Sequence, residues 1–316
     1  MPNVEKAAIP GLIAVDWGTT SFRAYLVSAN GAIIDRVEST RGIQSVGAGD
    51  YEQVLISSLS AWRDVAAPPP IILSGMIGSR QGWVEAPYVS CPAGLAETAA
   101  AIVTIKSAAF GEIGVVPGVL ADGDPEGPDV MRGEETQIFG ALAASSGEDG
   151  VFVLPGTHSK WAIVEKGRIV SFKTYMTGDA FGALRNHTIL ARLMDGPEAD
   201  GEGFALGVKA ARGLKAPGDL LHAIFMARTL GLFERLRSAQ LPEYLSGLLI
   251  GAELLAAAPR DGAAATIIGS ASLTRRYRQA GEILGVALEA APEDCTVLGQ
   301  HALFTKWRGL AFSQST

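Results

Sequence analysis

The chain has 316 residues, of which 48% are hydrophobic and 19% charged, and its formal net charge is −7. This acidic balance argues against nucleic acid as the main partner, because such binding neutralises phosphates with a basic face. The two cysteines lack metal-ligand spacing, no run reaches the ~20 apolar residues of a membrane span, and the first ten residues lack the apolar core of a secretory signal. The sequence therefore predicts a cytoplasmic protein with no membrane partner.

The first predicted elements are two short strands, near 12–16 and 22–28, that form a hairpin. The turn between them is rich in hydroxyl groups and reads Asp16-Trp17-Gly18-Thr19-Thr20-Ser21. Such a turn directs backbone N–H groups and hydroxyls at one point, and clusters of this kind bind anions, phosphate above all.

The rest of the first half alternates strands and helices. A third strand is predicted over 31–37, and an amphipathic helix over 51–66 ends at a run of prolines. A buried strand over 71–75 leads into the loop 76–83. A loop around one short strand is predicted for 112–129, and a helix for 134–144.

A second hairpin of the same kind opens the second half. It contains Val151-Phe152-Val153-Leu154, then the turn Pro155-Gly156-Thr157-His158-Ser159-Lys160, then a second apolar strand. A strand near 168–173 follows, and helices are predicted to about 258. A strand over 265–270 and helices over 273–284 and 302–312 complete the chain.

Two phosphate-binding hairpins about half a chain apart predict two similar lobes and a phosphotransferase. The turn-rich segment 145–150 marks the boundary. We therefore expect an N-terminal domain over 1–146 and a C-terminal domain over 147–316.

The motifs resemble those of the actin-like ATPase and sugar-kinase superfamily. The first hairpin resembles its first phosphate loop, the second its second phosphate loop, and Ile267-Ile268-Gly269-Ser270-Ala271-Ser272 its adenosine segment. The resemblance implies an α/β, two-lobe, ribonuclease H-like fold with an interlobe cleft, and the helices near 135–144 and 302–312 match its lobe-connecting helices.

Within that superfamily, longer stretches resemble the 2-dehydro-3-deoxygalactonokinase family. They are 74–94, 131–142, the second phosphate loop and 172–190 around Tyr175-Met176-Thr177-Gly178-Asp179. The resemblance implies transfer of phosphate from ATP, with Mg²⁺, to the terminal hydroxyl of 2-dehydro-3-deoxygalactonate, a small sugar acid, as a step of galactonate breakdown.

The resemblance also assigns roles to the phosphate-binding motifs. Asp16 matches the aspartate that holds Mg²⁺; a turn aspartate that caps backbone N–H groups is the alternative. The residues implied to bind ATP are Asp16, Gly18, Thr19, Thr20, Arg23, Gly156, Thr157, His158, Ser159, Lys160, Gly269 and Ser270. Arg23 and Lys160 are equally compatible with surface roles, and His158 with a loop role.

The resemblance also implies a catalytic base at the start of the helix over 134–144, because related sugar kinases carry an acidic residue at the start of the matching helix. Phosphoryl transfer to an alcohol needs alignment, charge stabilisation and a carboxylate that takes the hydroxyl proton. Glu134 is the first candidate and Glu135 the second, although acidic residues in a first helical turn also favour the helix dipole. Asp179 is a third candidate.

The substrate residues are expected in the loop after the buried strand and near the helix start. Arginine suits a carboxylate, glutamine suits hydroxyls, and an indole can cover the apolar face of a sugar. The candidates are Arg80, Gln81, Trp83 and Arg132.

Three alternatives remain open at the level of sequence. The substrate is the galactonate compound or a related acid such as 2-dehydro-3-deoxygluconate. A non-catalytic sugar-sensing protein and a phosphatase of the same fold are competing classes; the first strand begins too early to leave room for a DNA-binding helix-turn-helix. A homodimer is compatible with a small kinase, and the sequence specifies no interface.

Overall fold

The computed structural model describes residues 9–47, 49–62, 69–123, 127–145, 147–194, 201–216 and 218–313. Contacts divide the chain into two units. The first unit comprises Met1–Asp149, Ile163–Phe172 and Pro292–Thr316, and the second comprises Gly150–Ala162 and Lys173–Ala291.

The described residues form strands and helices throughout both units. The strands are β1 (Pro10–Trp17), β2 (Phe22–Ser28), β3 (Ile33–Ser39), β4 (Ile71–Ser74), β5 (Tyr88–Ser90), β6 (Ala93–Gly94), β7 (Val103–Ser107), β8 (Gly111–Val115), β9 (Gly118–Ala121), β10 (Asp129–Met131), β11 (Gly150–Leu154), β12 (Ser159–Glu165), β13 (Arg168–Tyr175), β14 (Ala265–Ile267) and β15 (Leu288–Ala290). The helices are α1 (Tyr51–Ser58), α2 (Leu95–Ala100), α3 (Glu134–Ala144), α4 (Thr177–His187), α5 (Glu202–Arg212), α6 (Asp219–Leu232), α7 (Gln240–Ala257), α8 (Ala271–Leu284) and α9 (Cys295–Ser313).

A mixed sheet organises the first unit, with strand order β3-β2-β1-β4-β8-β7. β1 pairs antiparallel with β2 but parallel with β4, and β4 pairs parallel with β8. A smaller sheet has the order β10-β9-β5. The inner strands β1 and β4 are almost continuously apolar, as expected for strands covered on both faces.

Helices α3 and α9 cross within the first unit at two glycines. A Cβ atom on Gly140 would lie 1.7 Å from the Cys295 carbonyl oxygen, and one on Gly299 would lie 1.8 Å from the Thr136 carbonyl oxygen. The two backbones therefore touch directly. From α9, the buried Gln300 donates from Nε2 to the Val15 carbonyl (2.8 Å) and the Ser74 hydroxyl (2.9 Å), which ties the helix to the ends of β1 and β4.

The second unit contains the neighbouring strands β15-β14-β11, the start of β12 up to Ala162, the end of β13 from Lys173, and the helices α4–α8. β14 pairs parallel with both β11 and β15. Helices α5 and α7 also cross at glycines, since a Cβ atom on Gly207 would lie 2.0 Å from the Tyr244 carbonyl oxygen. One apolar cluster contains Val153, Ile267 and Tyr277, and a second lies among the helices around Leu245.

Most predicted elements are confirmed, including β2 over 22–28 and α3 over 134–144. The helix predicted over 51–66 ends at Ser58, followed by a 3₁₀ turn at Ser60–Trp62; residues 63–66 lie outside the described part. The last helix begins at Cys295 rather than at 302.

The loop predicted for 112–129 is wrong, because β8 and β9 occupy Gly111–Val115 and Gly118–Ala121. Glycine is depleted in strands, which hid β8 in the sequence. Gly114 is required by packing, because a Cβ atom there would lie 2.8 Å from the Trp307 ring of α9.

Among the described residues, no helix is both long and apolar enough to cross a membrane.

Candidate active site

The first predicted phosphate-binding turn lies at the carboxyl end of β1. Because β1 and β4 are parallel, with Asp16 beside Ser74, the segments that follow both strands leave the sheet at the same edge. Ligands of open α/β sheets bind at this edge.

The turn Gly18–Ser21 is closed and supported from one side. Its Gly18 N–H donates to the Ser21 carbonyl (2.9 Å), while the Gly18 and Thr19 carbonyls accept from the N–H groups of Ile43 (3.0 Å) and Gln44 (3.2 Å). Gly18 and Thr19 are partly exposed and Thr20 is exposed. The turn is therefore held by its carbonyls, with Thr20 presented to solvent.

Asp16 lies beside Gly75, the residue that follows β4. Gly75 has a φ of 88°, and a Cβ atom there would lie 3.3 Å from Asp16 Oδ1. The Asp16 side chain is only 15% exposed, and its Oδ2 is 3.3 Å from Arg23 Nη1. Burial raises the pKa of Asp16, and the Arg23 guanidinium acts in the opposite direction. A cation that displaces or joins Arg23 would therefore stabilise a carboxylate that burial destabilises.

The start of α3 contacts the same glycine. Gly133 has a φ of 107°, and a Cβ atom there would lie 3.3 Å from the Gly75 Cα. Left-handed backbone of this kind is accessible mainly to glycine. Asp16, Gly75 and Gly133 thus form a continuous row, which brings the predicted metal ligand and the predicted catalytic segment together.

The two candidate bases differ in their surroundings. Glu135 is fully buried, and its carboxylate accepts from the Gly133 N–H (2.7 Å) and the Thr136 hydroxyl (3.0 Å). Burial, with the nearby Glu134 charge, raises the pKa of Glu135 to about 7. Glu134 is partly exposed, and its carboxylate accepts from the Arg132 N–H (2.9 Å). Glu135 therefore stabilises the helix start, and Glu134 is the more accessible carboxylate.

The loop after β4 presents its predicted substrate residues unequally. Arg80 is exposed and pairs with Glu85 at 3.2 Å. The Gln81 side chain is also exposed, while its carbonyl accepts from the Tyr51 hydroxyl (2.8 Å). Trp83 is half-buried and stacks on Tyr51 with ring centroids 6.4 Å apart, so it supports the loop by packing.

Arg132 is the buried cation of this region, with 9% of the residue exposed. Its guanidinium carbon lies 4.3 Å from the Tyr88 ring centroid, and Nη2 donates to the Ala86 carbonyl (2.8 Å). Nε and Nη1 are buried and have no hydrogen-bond partner among the described residues. Unsatisfied donors on a buried cation are costly, so this guanidinium suits an anionic ligand.

The second predicted phosphate-binding turn lies at the equivalent edge of the sheet in the second unit. β11 and β14 are parallel, so the loop after Leu154 and the segment after Ile267 leave the sheet together. A Cβ atom on Gly269 would lie 3.4 Å from the Pro155 ring, so the predicted adenosine segment lies next to this turn.

The side chains of this turn face different environments. Thr157 and His158 are exposed, and His158 Nε2 lies 3.8 Å from Asp179 Oδ2. Ser159 is fully buried and donates to Glu253 (2.6 Å), and the largely buried Lys160 donates to the Thr174 hydroxyl (2.7 Å). The side chains of Ser159 and Lys160 are therefore engaged within the protein.

The start of α4 packs on the second turn. The Asp179 N–H donates to the Thr157 carbonyl (2.9 Å), and a Cβ atom on Gly178 would lie 2.4 Å from the Gly156 carbonyl oxygen. A cavity of about 460 Å³ opens beside this contact, and its lining includes Gly156, Thr177, Gly178, Ser272, Arg275 and Arg276. Ser270 caps α8, its hydroxyl accepting from the Leu273 N–H (3.4 Å).

The sequence did not predict that α4 and α8 line the cavity beside the second turn. The Thr-Gly-Asp turn was a signal, since Gly178 is required by its contact with the loop, but it indicated only a candidate base. Arg275 and Arg276 lie in an ordinary amphipathic helix pattern, and no local feature sets them apart.

The two-unit α/β fold, with a glycine-containing turn at the carboxyl edge of a pair of parallel strands in each unit, is the fold expected of a sugar kinase. The activator of the 2-hydroxyisocaproyl-CoA dehydratase from Clostridium difficile, solved with bound ADPNP, shares the fold with a TM-score of 0.51 at 10% identity over 98% of both chains. A family profile described as 2-keto-3-deoxy-galactonokinase matches residues 16–303, and the chain belongs to this family.

Named relatives extend over most of the chain. A Rhizobium meliloti protein named probable 2-dehydro-3-deoxygalactonokinase DgoK1 is 37% identical over 89% of this chain and 92% of its own length. The 2-dehydro-3-deoxygalactonokinase of Escherichia coli is 34% identical over 89% of this chain and 93% of its own length. A crystal structure of a candidate 2-dehydro-3-deoxygalactonokinase from Sinorhizobium meliloti is 33% identical, with a TM-score of 0.84, over 95% of this chain and 99% of that chain.

Proposed function

We propose that this kinase transfers the γ-phosphoryl group of ATP to the terminal hydroxyl of 2-dehydro-3-deoxygalactonate and releases the 6-phosphate and ADP. Family membership supports the reaction class and the substrate. The observation that carries the assignment of the acceptor site is the buried Arg132, with two unpartnered donors, one residue from the Gly133 contact with Gly75.

Glu134 is the proposed general base. It is partly exposed and lies at the start of α3, where Gly133 meets the residue beside Asp16. In the transfer, the acceptor oxygen bonds to the γ-phosphorus as the bond to the ADP oxygen breaks, and Glu134 takes the hydroxyl proton. The buried Glu135 holds the backbone that positions it.

Asp16 is the proposed Mg²⁺ ligand. A single partly buried carboxylate beside a glycine fits this ion, which takes one or two carboxylates and otherwise water and phosphate oxygens. When bound, Mg²⁺ neutralises charge on the phosphates. Arg23, now paired with Asp16, is available to bind a phosphate oxygen.

ATP is the proposed ligand of both turns. Gly18, Thr19 and Thr20 of the first unit and Gly156, Thr157 and His158 of the second are accessible for the phosphates. Ser159 and Lys160 support the second turn from inside. The cavity lined by Ser272 and Arg276 is the proposed site of the nucleoside, and Gly269 and Ser270, which precede Ser272 in the chain, stay predicted contacts of the nucleotide.

Arg132 is the proposed partner of the substrate carboxylate, because an anion would satisfy the two donors that have no partner among the described residues. Arg80, Gln81 and Trp83 complete the acceptor loop, in supporting positions. 2-Dehydro-3-deoxygluconate, the epimeric acid, is the alternative substrate, and the comparisons do not favour it over the galactonate compound.

We further propose action in the cytoplasm, supported by two free cysteines, Cys91 and Cys295, without disulfide pairing. Domains over 1–146 and 147–316 and a homodimer stay predictions. In the structure the chain returns to the first unit at Pro292, and the last helix, α9, packs against α3 there.

The test is ADP release measured with Mg-ATP and three acceptor conditions: 2-dehydro-3-deoxygalactonate, its gluconate epimer and no acceptor. Turnover that depends on the galactonate compound supports the proposal. Equal turnover on both epimers keeps the kinase and broadens its substrate. ADP release without an acceptor contradicts the proposal and favours a hydrolase.

A further inference from the structure

A buried carboxylate on α7 collects four hydrogen bonds in the second unit. Glu253 is 3% exposed. Its Oε1 accepts from the Ser159 hydroxyl (2.6 Å) and the Trp161 indole N–H (2.8 Å). Its Oε2 accepts from the Tyr277 hydroxyl (2.8 Å) and the Thr177 hydroxyl. An ionised carboxylate offers about four acceptor sites, and all four are used.

The four donors come from the elements that surround the second phosphate-binding turn. Ser159 ends the turn and Trp161 follows it on β12. Thr177 is the first residue of α4, whose next residue, Gly178, packs against the Gly156 carbonyl. Tyr277 lies on α8, which borders the same cavity. Glu253 therefore links the end of the turn, the start of α4 and α8 through hydrogen bonds.

The chemistry of these donors explains why a carboxylate occupies this point. Burying a charge is expensive, and a well-packed apolar residue at such a place is often no less stable. A leucine would leave three hydroxyls and an indole N–H without an acceptor. Burial, followed by the nearby Glu253 charge, raises the pKa of Tyr277, so this phenol stays protonated and able to donate.

We propose that Glu253 is a positioning residue for ATP: it fixes Ser159 and Thr177, and through them the second phosphate-binding turn and the start of α4. This role rests on the proposed function, because it presumes that the turn binds the ATP phosphates. Glu253 itself is buried below the turn and acts only through its partners.

Glu253→Gln is the primary variant because it keeps the side-chain length. The amide oxygen can still accept from Trp161, but the amide nitrogen then faces Thr177 and Tyr277, whose hydroxyls must rotate to accept. We expect the KM for ATP, and the Kd for Mg-ATP measured by calorimetry, to rise about 10- to 100-fold, the scale of an ångström-sized misplacement. The KM for the sugar acid stays within about threefold, because none of the residues proposed to bind it belongs to the hydrogen-bond network of Glu253.

Leu254→Ala is the matched control. Leu254 is the next residue on α7 and is fully buried in the apolar cluster. Its aliphatic side chain cannot form a hydrogen bond with the turn. It should lower the thermal midpoint and leave the Kd for Mg-ATP unchanged. Equal thermal shifts in both variants with unchanged ATP affinity would overturn the proposal, because a structural role alone would then explain Glu253.

Ser159→Ala and Tyr277→Phe test the same network without altering the carboxylate, and they decide the matter if Glu253→Gln fails to fold. Each should weaken Mg-ATP binding, and combining Ser159→Ala with Glu253→Gln should weaken it by less than the product of the two effects. Unchanged affinity in both single variants would overturn the proposal. Wild-type protein without acceptor-dependent ADP release would contradict the proposed function instead, while its Kd for Mg-ATP still tests Glu253.

Discussion

At the residue scale, two adjacent glutamates occupy different environments at the start of α3. Glu135 is fully buried and binds the Gly133 N–H and the Thr136 hydroxyl, whereas Glu134 is partly exposed. The sequence predicted a base at this point and ranked Glu134 first. Burial, which local sequence does not reveal, supplies a physical reason for that order.

Glu134→Gln should lower kcat about 10²- to 10⁴-fold, the usual contribution of a general base. The KM values should change little, because the amide keeps the shape of the side chain. Steady-state kinetics with a circular dichroism check of folding measures this. A kcat within a few-fold of wild type would exclude Glu134 as the base and return Glu135 and Asp179 to consideration.

Glu135 should make stability depend on pH. The pKa of Glu135 in the folded protein is about 7, above the ordinary value of 4.5. Its contribution to the free energy of unfolding is therefore fully present below pH 4.5 and is lost as the pH rises through 7. The loss is on the order of 3 kcal/mol. Glu135→Gln mimics the protonated form and should flatten the fall in unfolding free energy between these pH values, measured by denaturant titration. An identical pH dependence in both proteins would contradict this assignment.

Arg132→Gln should weaken use of the sugar acid selectively. Loss of a charge-assisted hydrogen bond costs about 2 kcal/mol, or roughly 30-fold in kcat/KM for the acid, while the KM for ATP stays close to wild type. Arg308→Gln is the control, since Arg308 lies outside the proposed acceptor site and its pair with Glu112 (3.8 Å) is a partly exposed surface ion pair of little energetic value. Equal effects of the two variants would contradict a special role for Arg132.

Sequence alone could name Arg132 and Asp16 but not their surroundings. The Arg132 guanidinium contacts the Tyr88 ring and the Ala86 carbonyl, which are distant in the chain. These contacts surround the guanidinium but leave two of its donors without a partner among the described residues. Glu253 was not found at all, because its donors lie up to 94 residues away and no local pattern marks it. Such networks are created by tertiary packing.

At the element scale, the direct contact between α3 and α9 sets the position of the candidate base. Gly140 and Gly299 let the two backbones touch. α9 also carries Gln300, which binds the ends of β1 and β4. The packing of one helix pair therefore fixes Glu134 relative to Asp16.

Gly140→Ala should destabilise the protein by about 1–3 kcal/mol, the usual cost of overpacking, because its Cβ would overlap the Cys295 carbonyl. It should also lower kcat by moving α3. Gly309→Ala, on α9 with nothing within 4 Å of the added atom, should instead stabilise by about 0.5–1 kcal/mol. Thermal and denaturant unfolding compare the two, and a neutral Gly140→Ala would contradict the close contact.

Elements with a strong local period were predictable, and elements defined by their neighbours were not. The apolar strands β1 and β2 and the helix α3 follow local patterns. β8 was hidden because Gly114 serves contact with Trp307, a constraint from a helix almost at the end of the chain.

At the scale of the whole molecule, the same plan occurs twice. Each unit has a pair of parallel strands, β1 with β4 and β11 with β14, and each pair places a glycine-containing turn at its carboxyl edge. The net charge of −7 does not oppose anion binding, because backbone N–H groups and single buried cations act locally. The repetition was visible in the sequence, and it carries the inference of a phosphotransferase.

The central claim is transfer of phosphate to the terminal hydroxyl of the sugar acid. The most direct test is phosphorus NMR, with mass spectrometry, of the product formed from ATP and 2-dehydro-3-deoxygalactonate. We predict one new phosphate monoester coupled to the methylene protons of C6, formed together with ADP. Inorganic phosphate and ADP without any new phosphate monoester, or an ester at another carbon, would contradict the account.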